Sequence, residues 1–139
     1  MNPAAPVLTH ALTVELIGPE ATLPVGAELR YSRSDPYAVQ LAFNTGGRDV
    51  VWLFGRDLLM RGTHEPVGRG DVHVMPGLDP SGRAVVVLQL SSPNGAALVE
   101  ARSVDVLTFL AHTTQEVWPG TEGEHVSVEE TIAAILVGG

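Results

Sequence analysis

The side chains that could do chemistry are five histidines and a scatter of carboxylates and hydroxyls. The histidines stand at positions 10, 64, 73, 112 and 125. No two of them have the i, i+4 spacing or the His-X-Glu pattern that favours metal chelation from one helix. The chain has no cysteine, which excludes disulfides, thiolate metal ligands and a cysteine nucleophile. A zinc site assembled from distant segments stays open, although a strand position for His73 and a surface loop for His64 explain these two residues more simply.

Three further motifs resemble sites but lack the surrounding pattern. Gly68-Arg-Gly-Asp71 leads into a strand and has no Lys-Ser/Thr ending, whereas phosphate loops lead into a helix. Ser91-Ser92 lies outside a Gly-X-Ser-X-Gly elbow and is typical of a turn. Glu129-Glu130 favours a helix start through the helix dipole. The sequence therefore predicts no enzymatic chemistry, no metal and no cofactor.

Composition narrows the class of partner. The 139 residues carry a net charge of −8, and all eight basic residues are arginine. Nucleic acids and anionic membranes both require many cationic contacts, so neither is a favoured partner. The N-terminus lacks the pattern of a signal peptide, and the apolar runs are shorter than the roughly 20 residues that span a bilayer. We expect a cytoplasmic protein without direct membrane insertion.

Alternating apolar residues predict seven antiparallel strands after a loose leader at residues 1–9. The run Val50–Phe54 is apolar on both faces, which predicts a central or covered strand. Arg56–Met60 is expected to form a short helix closed by Gly62, followed by a glycine-rich loop at residues 62–70. The seven strands are predicted at residues 10–17, 25–31, 37–43, 50–54, 71–76, 84–90 and 96–101.

Helical spacing replaces strand spacing in the C-terminal part, and two helices are predicted there. Ser103 is expected to cap the first helix, whose apolar stripe is Val104, Leu107, Leu110 and Ala111. Ser127-Val-Glu-Glu130 is a capping box, and the stripe that accompanies it is Val128, Ile132, Ile135 and Leu136. Strands followed by helices, with no linker between them, predict a single α+β domain over residues 1–139.

The remaining polar and aromatic residues allow two interpretations as a binding surface. Tyr37, Phe43, Trp52 and Phe54 could stack on the bases of a single-stranded nucleic acid. Their alternation along strands fits core packing better, because stacking surfaces also need interleaved basic residues. A protein-binding surface remains, and Arg56-Asp57 is either part of it or a local ion pair or cap.

Five blocks of the sequence stand in order and at a characteristic spacing: residues 35–39, 51–59, 68–76 and 90–96, and Phe109-Leu110 with Thr113. Together they resemble the SsgA-like family of sporulation and cell-division proteins from sporulating actinobacteria, and within it the SsgB type. Gly55 and Trp118-Pro119 depart from the family pattern, in which alanine and a smaller residue before proline are usual.

The resemblance implies a bell-shaped homotrimer whose subunits are strongly bent, barrel-like, seven-stranded sheets backed by helices, similar to whirly-type single-stranded nucleic-acid binders. It also implies a non-enzymatic role, in which the protein localises the tubulin-like protein FtsZ at septum sites and promotes its assembly. An SsgA-type membrane-associated partner is expected to hold it there, and a single-stranded nucleic-acid regulator is the alternative.

The residues expected to carry this role fall into two groups. The first is polar, expected to be exposed beside the core and to bind the partner: Arg56, Asp57, His64, Arg69 and Asp71. The second is aromatic and is expected to form core or subunit contacts: Tyr37, Trp52 and Phe54.

Overall fold

The structure is a computed structural model and describes residues 8–125. Its strands are β1 (Leu8–Ile17), β2 (Thr22–Ser32), β3 (Asp35–Phe43), β4 (Val50–Gly55), β5 (Val67–Arg69), β6 (Val72–Leu78), β7 (Ala84–Ser92) and β8 (Gly95–Arg102). Its helices are α1 (Arg56–Gly62), α2 (Ser103–Glu116) and a 3-10 helix at Glu122–His125.

All eight strands form one antiparallel sheet in the order β4-β3-β2-β1-β8-β7-β6-β5. In a flat sheet of this size the two edges would lie about 34 Å apart, because neighbouring strands are spaced by about 4.8 Å. Helix α1 nevertheless contacts both β4 and β5, although its seven residues span only about 10 Å. The sheet is therefore strongly curled into a half-barrel, and α1 crosses the gap between its edges.

The concave face of the half-barrel holds the core. Inward residues of the strands pack there with Leu58 and Leu59 of α1 and with Phe109 and Leu110 of α2. The buried face of α2 lies against β1, β7 and β8. Both helices thus cover the inside of the curl, as predicted for an α+β fold. Likeness to the whirly fold stays a prediction.

The prediction of seven strands is wrong, because β5 lies inside the segment expected to be a loop. Strand β5 has three residues, two of them without apolar side chains, so it carries no alternation. It forms a hairpin with β6 in which Gly68 faces His73. A Cβ at Gly68 would overlap the His73 ring, so this glycine permits the close pairing.

Strand β4 is an edge strand, and the expectation that it is central or covered is wrong for the described part of the chain. It pairs with β3 alone. The exposed fractions of Val50, Val51 and Leu53 are 45%, 48% and 59%. An apolar run reports hydrophobicity on both faces of a strand, but it does not report how many neighbours the strand has.

Helix α2 confirms the helical period and corrects its phase. Val106, Phe109 and Thr113 are buried together with Leu110, whereas the other members of the predicted stripe, Val104, Leu107 and Ala111, are exposed. Ser103 is the first helical residue and not its cap, since the N-cap position is Arg102. The predicted helix at residues 127–136 lies outside the described residues, as does most of the leader, of which residues 8 and 9 belong to β1.

Candidate functional site

Arg56 is buried, and the expectation that it is an exposed residue is wrong. It opens α1 directly after β4, and its side chain is only 1% exposed. Its Nη1 donates hydrogen bonds to the carbonyl oxygens of Thr113 at 3.1 Å and Val117 at 2.7 Å. Its Nη2 donates to Oε2 of Glu122 at 3.1 Å. The guanidinium therefore ties the end of α2 and the 3-10 helix to the start of α1.

Tyr31 completes this cluster through its aromatic ring, over which the guanidinium lies. The Arg56 Cζ lies 5.1 Å from the centre of the Tyr31 ring, within the range of a cation–π contact. The buried Tyr31 hydroxyl donates a hydrogen bond to the carbonyl oxygen of Pro36 at 3.0 Å. Burial raises the pKa of Tyr31, and the charge of Arg56 partly opposes that shift. Arg56, Tyr31 and Glu122, with the carbonyls of Thr113 and Val117, are called the Arg56 cluster below.

Glu122 supplies the counter-charge of the cluster. Burial raises the pKa of its carboxyl, but hydrogen bonds from its own backbone N–H, from Arg56 and from the Gly120 N–H outweigh burial, so the pKa is lowered overall. The Gly120 N–H lies 2.7 Å from Oε1. Glu122 is thus an ionised partner for Arg56, and this arrangement is a structural one.

Sequence reasoning missed every partner of Arg56. Glu122 lies 66 residues further along the chain, and no local pattern connects the two. Thr113 belongs to one of the blocks that carry the family resemblance, and this was the one available signal. Arg56 therefore has a structural contact, but the expected local ion pair or cap is wrong for it, because its acidic partner is 66 residues away. Asp57 is exposed and forms an i, i+4 ion pair with Arg61 at 3.7 Å.

The other predicted residues are only partly brought together. Arg69 and Asp71 flank Gly70 in the turn between β5 and β6 and are exposed. Both line a groove of about 320 Å³ between that turn and the edge strand β4. Asp57 and His64 are exposed but do not line it. We call this the edge groove, and its lining residues are Trp52, Leu53, Phe54, Gly55, Leu58, Arg69, Asp71 and Val72.

The three aromatic residues occupy three different environments. Phe54 is buried in the core with an exposed fraction of 7%. Trp52 is half-buried and lines the edge groove. Tyr37 is 57% exposed, so a core position is wrong for it, while a subunit contact stays a prediction. A Cβ at Gly123 of the 3-10 helix would lie 3.6 Å from its hydroxyl.

The described part of the chain has no cluster of polar side chains that resembles a metal or catalytic site. No three His, Asp or Glu residues within 8–125 lie close enough to hold a metal ion. Every buried side-chain polar atom there has a hydrogen-bond partner. No helix among these residues has the length and hydropathy to cross a membrane. What the described surface offers instead is apolar: besides β4, Val104 and Leu107 of α2 are 60% and 52% exposed.

The family described as Streptomyces sporulation and cell division protein, SsgA, matches residues 25–122. The chain belongs to the SsgA family. This confirms the resemblance that five sequence blocks indicated. The SsgA family is one of cell-division proteins and not one of enzymes.

Named relatives of the SsgA family match most of the chain. The sporulation-specific cell division protein SsgB of Streptomyces coelicolor is 45% identical over 122 residues, covering 87% of this chain and 88% of that protein. The SsgB of Kineococcus radiotolerans is 47% identical over 115 residues, covering 82% and 70%. These names support a role in cell division.

Solved structures of the SsgA family share the fold. One comes from work on mutations in SsgB that correlate to longitudinal cell division during sporulation of Streptomyces coelicolor. It has a TM-score of 0.78 and 46% identity, and the match covers 85% of this chain and 95% of that one. The SsgA-like sporulation-specific cell division protein of Thermobifida fusca has a TM-score of 0.83 and 35% identity, covering 96% and 98%. The curled antiparallel sheet with two helices is therefore the fold of the family.

Proposed function

We propose that the protein is a non-enzymatic scaffold of sporulation-specific cell division, which localises FtsZ at septum sites and promotes its assembly. The observation that carries this proposal is the 45% identity, over 87% of the chain, to a sporulation-specific cell division protein. The exposed apolar residues on β4 and on α2 support it, because apolar patches on a surface are typical of protein-binding sites.

The proposal includes a homotrimer, for which the exposed face of α2 is the surface that we assign to subunit contact. Val104, Leu107 and Ala111 recur at the three- and four-residue spacing with which helices pack against each other. A trimer would present three equivalent partner sites to one filament. Weak individual contacts then gain avidity through their effective concentration.

Localisation is proposed to be cytoplasmic with recruitment to the septum. A chain of net charge −8 is repelled by an anionic membrane surface. An SsgA-type membrane-associated partner would overcome this repulsion by acting as an adaptor. The acidic surface would favour encounters with basic patches on such partners. A nucleic-acid-binding role finds no support in the comparisons, whose named relatives are cell-division proteins.

Co-sedimentation with polymerising FtsZ tests the central claim. We expect the protein to pellet with FtsZ filaments and to increase their light scattering at micromolar concentrations. A protein that stays in the supernatant and leaves the scattering of active FtsZ unchanged contradicts the proposed function.

Sedimentation velocity tests the trimer. Leu107→Glu is expected to lower the mass from trimer to monomer, because it places a charge in the subunit contact. Leu78→Glu is the matched control, since Leu78 is an exposed leucine (71%) at the end of β6. A monomeric wild-type protein, or an equal response of both variants, contradicts the assignment.

A further inference from the structure

Among residues 8–125, strand β4 has a free edge that lacks the usual protection. Natural proteins protect edge strands with lysine, proline, a bulge or a very short length. The opposite edge follows this rule, since β5 has three residues. Strand β4 is six residues of Val-Val-Trp-Leu-Phe-Gly with an unbroken register against β3. With respect to the described part of the chain, it offers about 20 Å of unpaired backbone on one side.

The side chains of β4 point alternately to the core and to the outer face of the sheet, as in a regular strand. Trp52 and Phe54 lie opposite the buried Leu41 and Val39, so they face the core. Val51 and Leu53 point to the other face and are about half exposed. Apolar side chains on a free edge are prone to aggregation unless a partner covers them.

Space for such a partner exists beside the edge. The edge groove separates β4 from the turn between β5 and β6. Helix α1 holds this gap open, because it contacts both sheet edges and contributes Leu58 to the lining. The free backbone of β4 is therefore not closed off by β5.

Charge on the far wall adds selectivity. Arg69 and Asp71 are exposed there, and neither takes part in an ion pair formed within residues 8–125. An extended segment with one acidic and one basic side chain could pair with both. Backbone hydrogen bonds to an edge strand give affinity, and side-chain pockets beside it give specificity.

We propose that β4 is a strand-addition site for FtsZ, the partner named in the proposed function. An extended segment of FtsZ pairs there with the β4 backbone and places its charged side chains against Arg69 and Asp71. This inference rests on the proposed function, because it takes the partner to be a protein of the division machinery. The β4 strand of a second copy is a poorer occupant. Pairing of β4 with another β4 is isologous and closes as a dimer, whereas the proposed trimer needs a head-to-tail contact.

Hydrogen exchange and a matched pair of variants test the site. Leu53→Lys places a protecting lysine on the edge, and Leu23→Lys is its control, because both leucines are 59% exposed on strands. In the free protein we expect rapid exchange of the β4 amides that point away from β3, and we expect slower exchange of these amides when FtsZ is added. Leu53→Lys should weaken FtsZ binding by about tenfold or more, while Leu23→Lys leaves it within about twofold.

Four results would overturn the site. The first is slow exchange, in the free protein, of the β4 amides that point away from β3, which means that another part of the chain covers them. The second is a lower oligomer mass for Leu53→Lys, which makes β4 a subunit contact. The third is equal FtsZ binding by the two variants, and the fourth is FtsZ binding without protection of β4. In the last two cases the proposed function survives.

A second probe separates the two proposals if wild-type protein does not bind FtsZ. The probe is a short synthetic peptide in which valine alternates with threonine and which carries one glutamate and one arginine. Protection of β4 by this peptide in the wild type but not in Leu53→Lys supports the strand-addition site although the proposed function has failed. No protection by either FtsZ or the peptide overturns the site.

Discussion

Replacing Arg56 by alanine should remove a large part of the free energy of unfolding that the Arg56 cluster contributes. The change leaves the Val117 carbonyl and the Glu122 carboxylate without their donor. Breaking a buried ion pair by removing one partner destabilises by about 3–5 kcal/mol. Glu122 keeps the Gly120 N–H and is 15% exposed, which favours the lower end, while loss of the contact with Tyr31 adds to the total. We therefore expect Arg56→Ala to lower the free energy of unfolding by about 3–4 kcal/mol.

Urea unfolding at neutral pH, followed by tryptophan fluorescence, measures this loss. Arg61→Ala is the matched control, because Arg61 is 53% exposed and pairs at 3.7 Å with Asp57 and at 3.6 Å with Glu65 on the surface. Exposed pairs of this kind contribute about 0–1 kcal/mol. A loss below about 1 kcal/mol for Arg56→Ala, equal to that of the control, would refute a structural role for the cluster.

Partner binding separates the two interpretations of Arg56. If the residue is structural, Arg56→Ala should lose co-sedimentation with FtsZ only under conditions in which the variant unfolds. A folded Arg56→Ala protein that no longer binds FtsZ would show that the guanidinium serves partner binding directly, in contradiction to its burial.

Two further predictions concern acid stability and close packing. Glu122 has a lowered pKa in the folded protein, so its stabilisation is present above the unfolded value of 4.5 and is lost as pH falls through the folded value. In urea unfolding across this range, Glu122→Gln should be less stable than wild type at neutral pH and should approach it in acid; a constant difference contradicts the assignment. Gly62→Ala would place a Cβ into the Val74 side chain, and thermal unfolding should show a loss of about 1–3 kcal/mol. Gly47→Ala, whose Cβ meets nothing within 4 Å, is the control, and an equal effect of both would refute close packing at Gly62.

The lining of the edge groove contains residues that the sequence analysis had assigned to two different groups. Arg69 and Asp71 were predicted as partner-binding residues, and Trp52 as a core or subunit contact. The structure places all three on one groove, because the curl of the sheet brings β4 opposite the hairpin of β5 and β6. Whether they bind a partner stays a prediction, and the hydrogen-exchange experiment addresses it.

Sequence patterns alone were enough to predict the family, seven of the eight described strands, the short helix at Arg56 and the helical period after Ser103. These features are local, because alternation and helical spacing depend on residues a few positions apart. Turn residues mark their ends in the same way. The five family blocks are local too, and their order and spacing sufficed.

Tertiary structure decided the burial of Arg56, the exposure of β4, the phase of α2 and the existence of β5. The first three depend on contacts between distant segments; Arg56, for example, donates hydrogen bonds to Thr113, Val117 and Glu122, which lie 57, 61 and 66 positions further along the chain. Strand β5 pairs locally with β6, but its three residues are too few to show alternation. Strand β4 is exposed because the sheet order gives it one neighbour. A sequence pattern states which side chains avoid water, but the arrangement of the elements decides which of them are covered, and by what.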